Sequence, residues 1–147
     1  MIDAGLLTRA LETVLNAASL GCTIERSQRM NFDPGRCPWV GIYPGVVKSV
    51  PKALTSGNAR WKNEAEPQIV VQTMTYGTDG QIAADQLETL IQQVLAALDA
   101  DLTIGVSGAR IIGSTREYRY VQFDTDEQRS IFMPQVLIKL QMEVRSA

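Results

Sequence analysis

The last third of the chain sets the tightest constraint. Val136, Ile138, Leu140, Met142 and Val144 alternate with Lys139, Gln141, Glu143 and Arg145, and only Leu137 breaks the polar register. Successive side chains on a strand point to opposite faces, so such a segment needs a sheet with one face covered and one wet. Arg116–Phe123 reads as its hairpin partner, joined across Asp124-Thr-Asp-Glu-Gln-Arg129. The cover is also legible. Ala83, Ala84, Leu87, Leu90, Ile91, Val94, Leu95 and Leu98 form a broad apolar helical face opposed by Asp85, Glu88, Gln92 and Asp99, with Asp79 placed as N-cap. A second stripe, Leu7, Leu11, Val14, Leu15 and Ala18, predicts a leading helix between an Asp3 cap and a Gly21 stop.

Between the helices, short β segments are expected at Thr23–Ser27 and Trp39–Tyr43, separated by the turn signal Asn31-Phe-Asp-Pro-Gly35. Trp39–Tyr43 is apolar enough for a central strand, and Gly41 predicts a close approach by neighbouring backbone. A β-branched strand follows at Ile69–Tyr76, and short strands at Leu102–Thr103 and Ile111–Ile112. The order predicts one α+β domain over residues 1–147: a mainly antiparallel or mixed sheet, two amphipathic helices packed on one face, and a long inter-strand loop.

That loop, at about 45–66, is too long for an ordinary connection and too polar to bury itself. It carries Lys48, Lys52, Arg60 and Lys62 around the isolated Trp61, the composition of a segment that orders against a partner; the alternatives are a hairpin tip without a role, or a Trp61 folded back onto its own sheet. The net charge of −2 conceals a wider segregation: from Asn63 to Ala109 there is no base, while Asp85, Glu88, Asp99 and Asp101 are all acidic. Asp99 and Asp101 lie where the helix macrodipole disfavours negative charge, which fits a basic partner or, equally, a helix end fraying into solvent. A basic segment and an acidic one suit charge-complementary docking between copies or partners. Nucleic-acid recognition fits poorly, because no aromatic platform interleaves the bases.

Catalytic constellations are sparse. The chain has no histidine, which removes Ser-His and Cys-His chemistry and the usual zinc sets. Gly105–Gly113 lacks the Gly-Lys-Ser/Thr of a phosphate loop. Asp124, Asp126 and Glu127 could share a hard cation, but they lack the glycine of the helix–loop–helix calcium site and read better as a solvated turn. Cys22 and Cys37 read as free thiols of a reducing compartment; Arg36 beside Cys37 is the one hint of reactivity. No apolar run is long enough to span a bilayer, and Met1-Ile-Asp-Ala-Gly5 carries an acid where a secretory signal carries bases.

In its order of elements the chain resembles the tail terminator proteins of long-tailed bacteriophages. The likeness rests on the leading helix, Cys37-Pro-Trp-Val-Gly-Ile-Tyr-Pro-Gly45 running into the excursion, the return strand, Ala83-Ala-Asp-Gln-Leu-Glu88 opening the long helix, and the strand pair ending in Phe132–Val144. The resemblance implies a structural virion protein, not an enzyme, without cofactor or metal. It would be assembled in the host cytoplasm and built into the tail as a hexameric ring on the head-proximal end of the tail tube. Such a ring ends tube polymerisation and meets the head–tail connector. Its partners are its own copies, the tube protein and the neck protein; no membrane or specific nucleic acid is implied, although DNA would pass through the ring. Two alternatives stay open. One is another neck, tail-completion or tube protein; the other is a small enzyme or ligand-binding domain with a pocket near Cys37, Tyr43 and the Asp124–Glu127 turn.

Overall fold

A computed structural model describes residues 3–26, 34–51, 61–76, 80–124 and 130–145. Within them the chain is α+β. Helix α1 (Ala4–Ala17) leads to strand β1 (Thr23–Arg26), a short 3-10 turn (Pro34–Arg36) and strands β2 (Trp39–Pro51), β3 (Trp61–Gln72) and β4 (Thr75–Tyr76). Helix α2 (Gln81–Asp99) and the strands β5 (Ala109–Asp124) and β6 (Ser130–Arg145) complete it. The sheet is mixed. β1 lies parallel to β2; β2, β3 and β6 follow antiparallel; β4 continues the β3 side of β6, and β5 pairs with β6.

Register explains which residues face the helices. Val40 stands opposite Val71, Ile42 opposite Ile69, and these continue to Val136 and Ile138 on β6. All six are buried with Leu7, Leu11 and Leu15 of α1 and Leu87, Ile91, Val94 and Leu98 of α2 in one core. Both helices therefore cover the same face, α1 over β1 and β2, α2 over β3 and β6. Each fully buried aliphatic side chain contributes on the order of 1.5–3 kcal/mol.

Asp3 caps α1 as expected, accepting from the Gly5 N–H at 2.8 Å. The stop differs: the left-handed residue after the helix is Ser19 (φ 53°), and Gly21 (φ 67°) serves the next turn. Asp79 lies outside the described residues, and Gly80 takes the N-cap position of α2. Glycine is needed there because a Cβ would run into the Phe132 ring. Farther along, the Thr73 hydroxyl donates to the Ala83 carbonyl at 2.6 Å and ties the end of β3 to the first turn of α2.

The largest correction concerns residues 45–66. They are not a loop: β2 continues to Pro51 and β3 begins at Trp61, paired from Val46↔Glu66 to Pro51↔Trp61 after a bulge at Pro44–Gly45. Only 52–60 lie outside the described residues. Ala65 and Asn63 are 1% and 2% exposed, and Val47 packs against the core. The inward positions are Val47, Ser49, Asn63 and Ala65, with the Ser49 hydroxyl donating to Asn63 Oδ1 at 2.7 Å. Small and polar residues on the covered face erased the hydrophobic alternation that marks a strand.

Three further expectations change. Ile111–Ile112 and Arg116–Phe123 belong to the single strand β5, bulged between Ile111 and Gly113. Leu102–Thr103 is a turn, held to β5 by the Ile111 N–H donating to the Leu102 carbonyl at 2.8 Å. Gly41 makes room for the Trp39 indole, not for backbone: a Cβ there would collide with that ring.

Candidate docking site

The described candidate side chains fall on opposite sides of the sheet. Lys48 is exposed on β2, with Glu64 opposite it on β3; Ala65 beside Glu64 faces the helices, so this pair faces away from them. Trp61 and Lys62 belong to the β3 backbone, and Lys52 and Arg60 lie outside the described residues. Asp85, Glu88 and Asp99 are exposed on α2, on the other side. Lys48 and the exposed acids of α2 thus lie on opposite sides of the sheet.

Among the described residues the segregation along the sequence survives on α2 alone. Elsewhere opposite charges meet. Arg26 pairs with Glu12 at 3.5 Å, Arg36 with Glu25, Arg9 with Asp3 at 3.4 Å, and Arg110 stands opposite Glu143. Along Gln81–Asp99 there is no base, and among the described residues Asp85, Glu88 and Asp99 make no ion pair. Exposed pairs contribute little to stability, so the unneutralised charge of α2 matters for what can approach it.

Three of the acids have local partners. Asp85 accepts from the Gln81 side-chain amide at 2.8 Å. The Tyr118 hydroxyl on β5 hydrogen-bonds Glu88, and this bond, with some desolvation, raises the Tyr118 pKa. Asp101 accepts from the Thr103 hydroxyl at 2.6 Å and the Thr103 N–H at 3.0 Å, which lowers its pKa. These bonds shape the turn that carries Ile104, in a left-handed conformation (φ 48°), into the core. Asp101 is therefore a turn-forming residue, and its place at the helix end has a local explanation.

Sequence reasoning missed the apolar neighbours of the α2 acids. An open groove of about 650 Å³ at the first half of α2 brings Ile82, 59% exposed, beside Asp85 with Leu20, Pro38 and Met74. A second, of about 510 Å³ at the far end, places Leu102 and Ile112 beside Asp99. The signal available was Ile82, which falls outside the buried stripe of its helix.

The pocket expected near Cys37, Tyr43 and the 124–127 turn does not come together. Cys37 lines the α2 groove, Tyr43 lines a separate depression of about 190 Å³ on the other face, and 125–129 lie outside the described residues. Cys22 and Cys37 are thiols not joined in a disulfide, and burial raises the Cys22 thiol pKa. Among the described residues no helix is long and apolar enough to cross a membrane. Comparison with protein-family models and with curated proteins finds no match for this chain.

Proposed function

We propose that this chain is a structural ring-forming protein of the tail-terminator type, which closes the head-proximal end of a phage tail tube and presents a surface to the neck. The observation that carries this reading is the placement of Lys48 and the α2 acids on opposite sides of one sheet. A ring with head-to-tail contacts needs two different, complementary faces on each subunit. The chain has no acid from Lys48 to Lys62, and this stretch holds Leu54 and Trp61 among its bases. Its chemistry complements the two grooves of α2, each of which sets an acid beside exposed apolar side chains. In this reading the hairpin of one copy docks on α2 of the next.

Negative-stain electron microscopy of the concentrated protein, with native mass measured alongside, tests the proposal. Closed rings with a central hole, single or paired but not growing into tubes, are the expected product, and they should end tube growth when added to polymerising tube subunits. Long tubes formed by this chain alone would make it a tube subunit. Tube growth that continues unchanged in its presence would contradict the terminator reading.

A further inference from the structure

The outer edge of β5 carries a separate inference. Among the described residues β5 pairs only with β6, and Ser114 to Tyr120 are all exposed. The orientation of its backbone follows from Pro134. The Thr73 N–H donates to the Pro134 carbonyl, so the backbone of Pro134 faces the β3 side of β6. Tyr120, opposite Pro134, therefore turns its own N–H and C=O away from β6. With a period of two, Ser114, Arg116, Tyr118 and Gln122 do the same. An edge of this length is a template for another strand.

We infer that β5 pairs antiparallel with β5 of a second copy, about a two-fold axis at Tyr118. In this register Glu117 faces Arg119 of the second copy and Arg119 faces its Glu117, so both charges are matched twice. Arg116 meets Tyr120 of the second copy on the helix side, an arrangement suited to a cation–π contact. The outward-facing residues meet one another, as a hydrogen-bonded ladder requires. Neighbouring registers are worse. Centring on Arg116, Glu117 or Arg119 sets that charge against itself, and centring on Tyr120 leaves Glu117 and Arg119 facing Phe123 and Val121. The charges of this edge thus select one pairing while disfavouring slipped ones. The contact is isologous and does not rest on the head-to-tail ring.

Sedimentation equilibrium on four proteins tests it: the natural chain, Glu117→Arg, Glu117→Arg with Arg119→Glu, and Arg116→Pro. Circular dichroism confirms folding of each. The natural chain should dimerise, and Glu117→Arg should raise the dimer Kd about ten-fold or more. The double exchange should bring it back to within about three-fold. Arg116→Pro should abolish pairing while leaving the fold, because its N–H faces outward and serves no bond to β6. A natural chain that stays monomeric to about 1 mM overturns the inference. So does self-association, through ring contacts or another surface, that is equal in all four proteins.

Discussion

The two faces of the single sheet follow different rules. Toward the helices β1, β2, β3, β5 and β6 contribute apolar side chains, and Val40, Ile69, Val71, Val136 and Ile138 are fully buried. On the other face burial is graded. At one end Trp39, Gln72 and Gln135 form a row across β2, β3 and β6, 1%, 1% and 6% exposed. At the other, Lys48, Glu64, Glu143 and Arg110 stand in cross-strand register. The first face specifies the fold. The second mixes buried Trp39 and Val70 with charge-matched positions, and among the described residues no helix covers it.

Substitutions at neighbouring β6 positions should separate the faces most strongly. Ile138→Ala, on the covered side, should cost about 2–5 kcal/mol in chemical denaturation. Leu137→Ala, one residue away on the open side, should cost under about 1.5 kcal/mol. Equal losses would erase the distinction. Within the open face, Gln72 donates to Gln135 Oε1 at 2.6 Å, while Gln72 Oε1 and the Trp39 indole N–H are buried without a hydrogen-bond partner among the described residues. Gln72→Leu alone should destabilise by about 1–3 kcal/mol, because Gln135 loses its partner, whereas Gln72→Leu with Gln135→Leu should recover most of that loss.

The smallest effect is expected at Asp101. Its lowered pKa means that its stabilising contribution is present above the unfolded carboxylate value, near pH 4, and fades as pH falls through the folded value. Asp101→Asn should therefore melt below the natural chain at pH 7, and the two curves should converge in strong acid. A gap that persists there would assign Asp101 another role.

Much of this architecture was legible in the sequence because periodicity and burial agreed. The alternation of β6 and the apolar stripe of α2 required a half-covered sheet and its cover. The extension of β2 and β3 was hidden for the opposite reason: Ser49 and Asn63 satisfy each other on the covered face, and a polar pair leaves no hydrophobic signature. Charge was legible only as composition. Segregation along the chain did not reveal that Glu64 would stand opposite Lys48, or that Tyr118 would take up Glu88. Such pairings depend on strand register, which nearest neighbours in sequence do not set.

Head-to-tail docking between the hairpin and α2 is tested most directly by reversing each side in a different copy. One variant carries Asp85→Lys and Asp99→Lys; the other carries Lys48→Glu, Arg60→Glu and Lys62→Glu. Alone, each sets like charge against like and should lose the natural assembly at physiological salt, as read by native mass. Mixed in equal amounts, they should rebuild a particle of the natural mass with the two variants in equal number. Variants that assemble undisturbed alone, or a mixture that stays unassembled, would contradict docking between these surfaces.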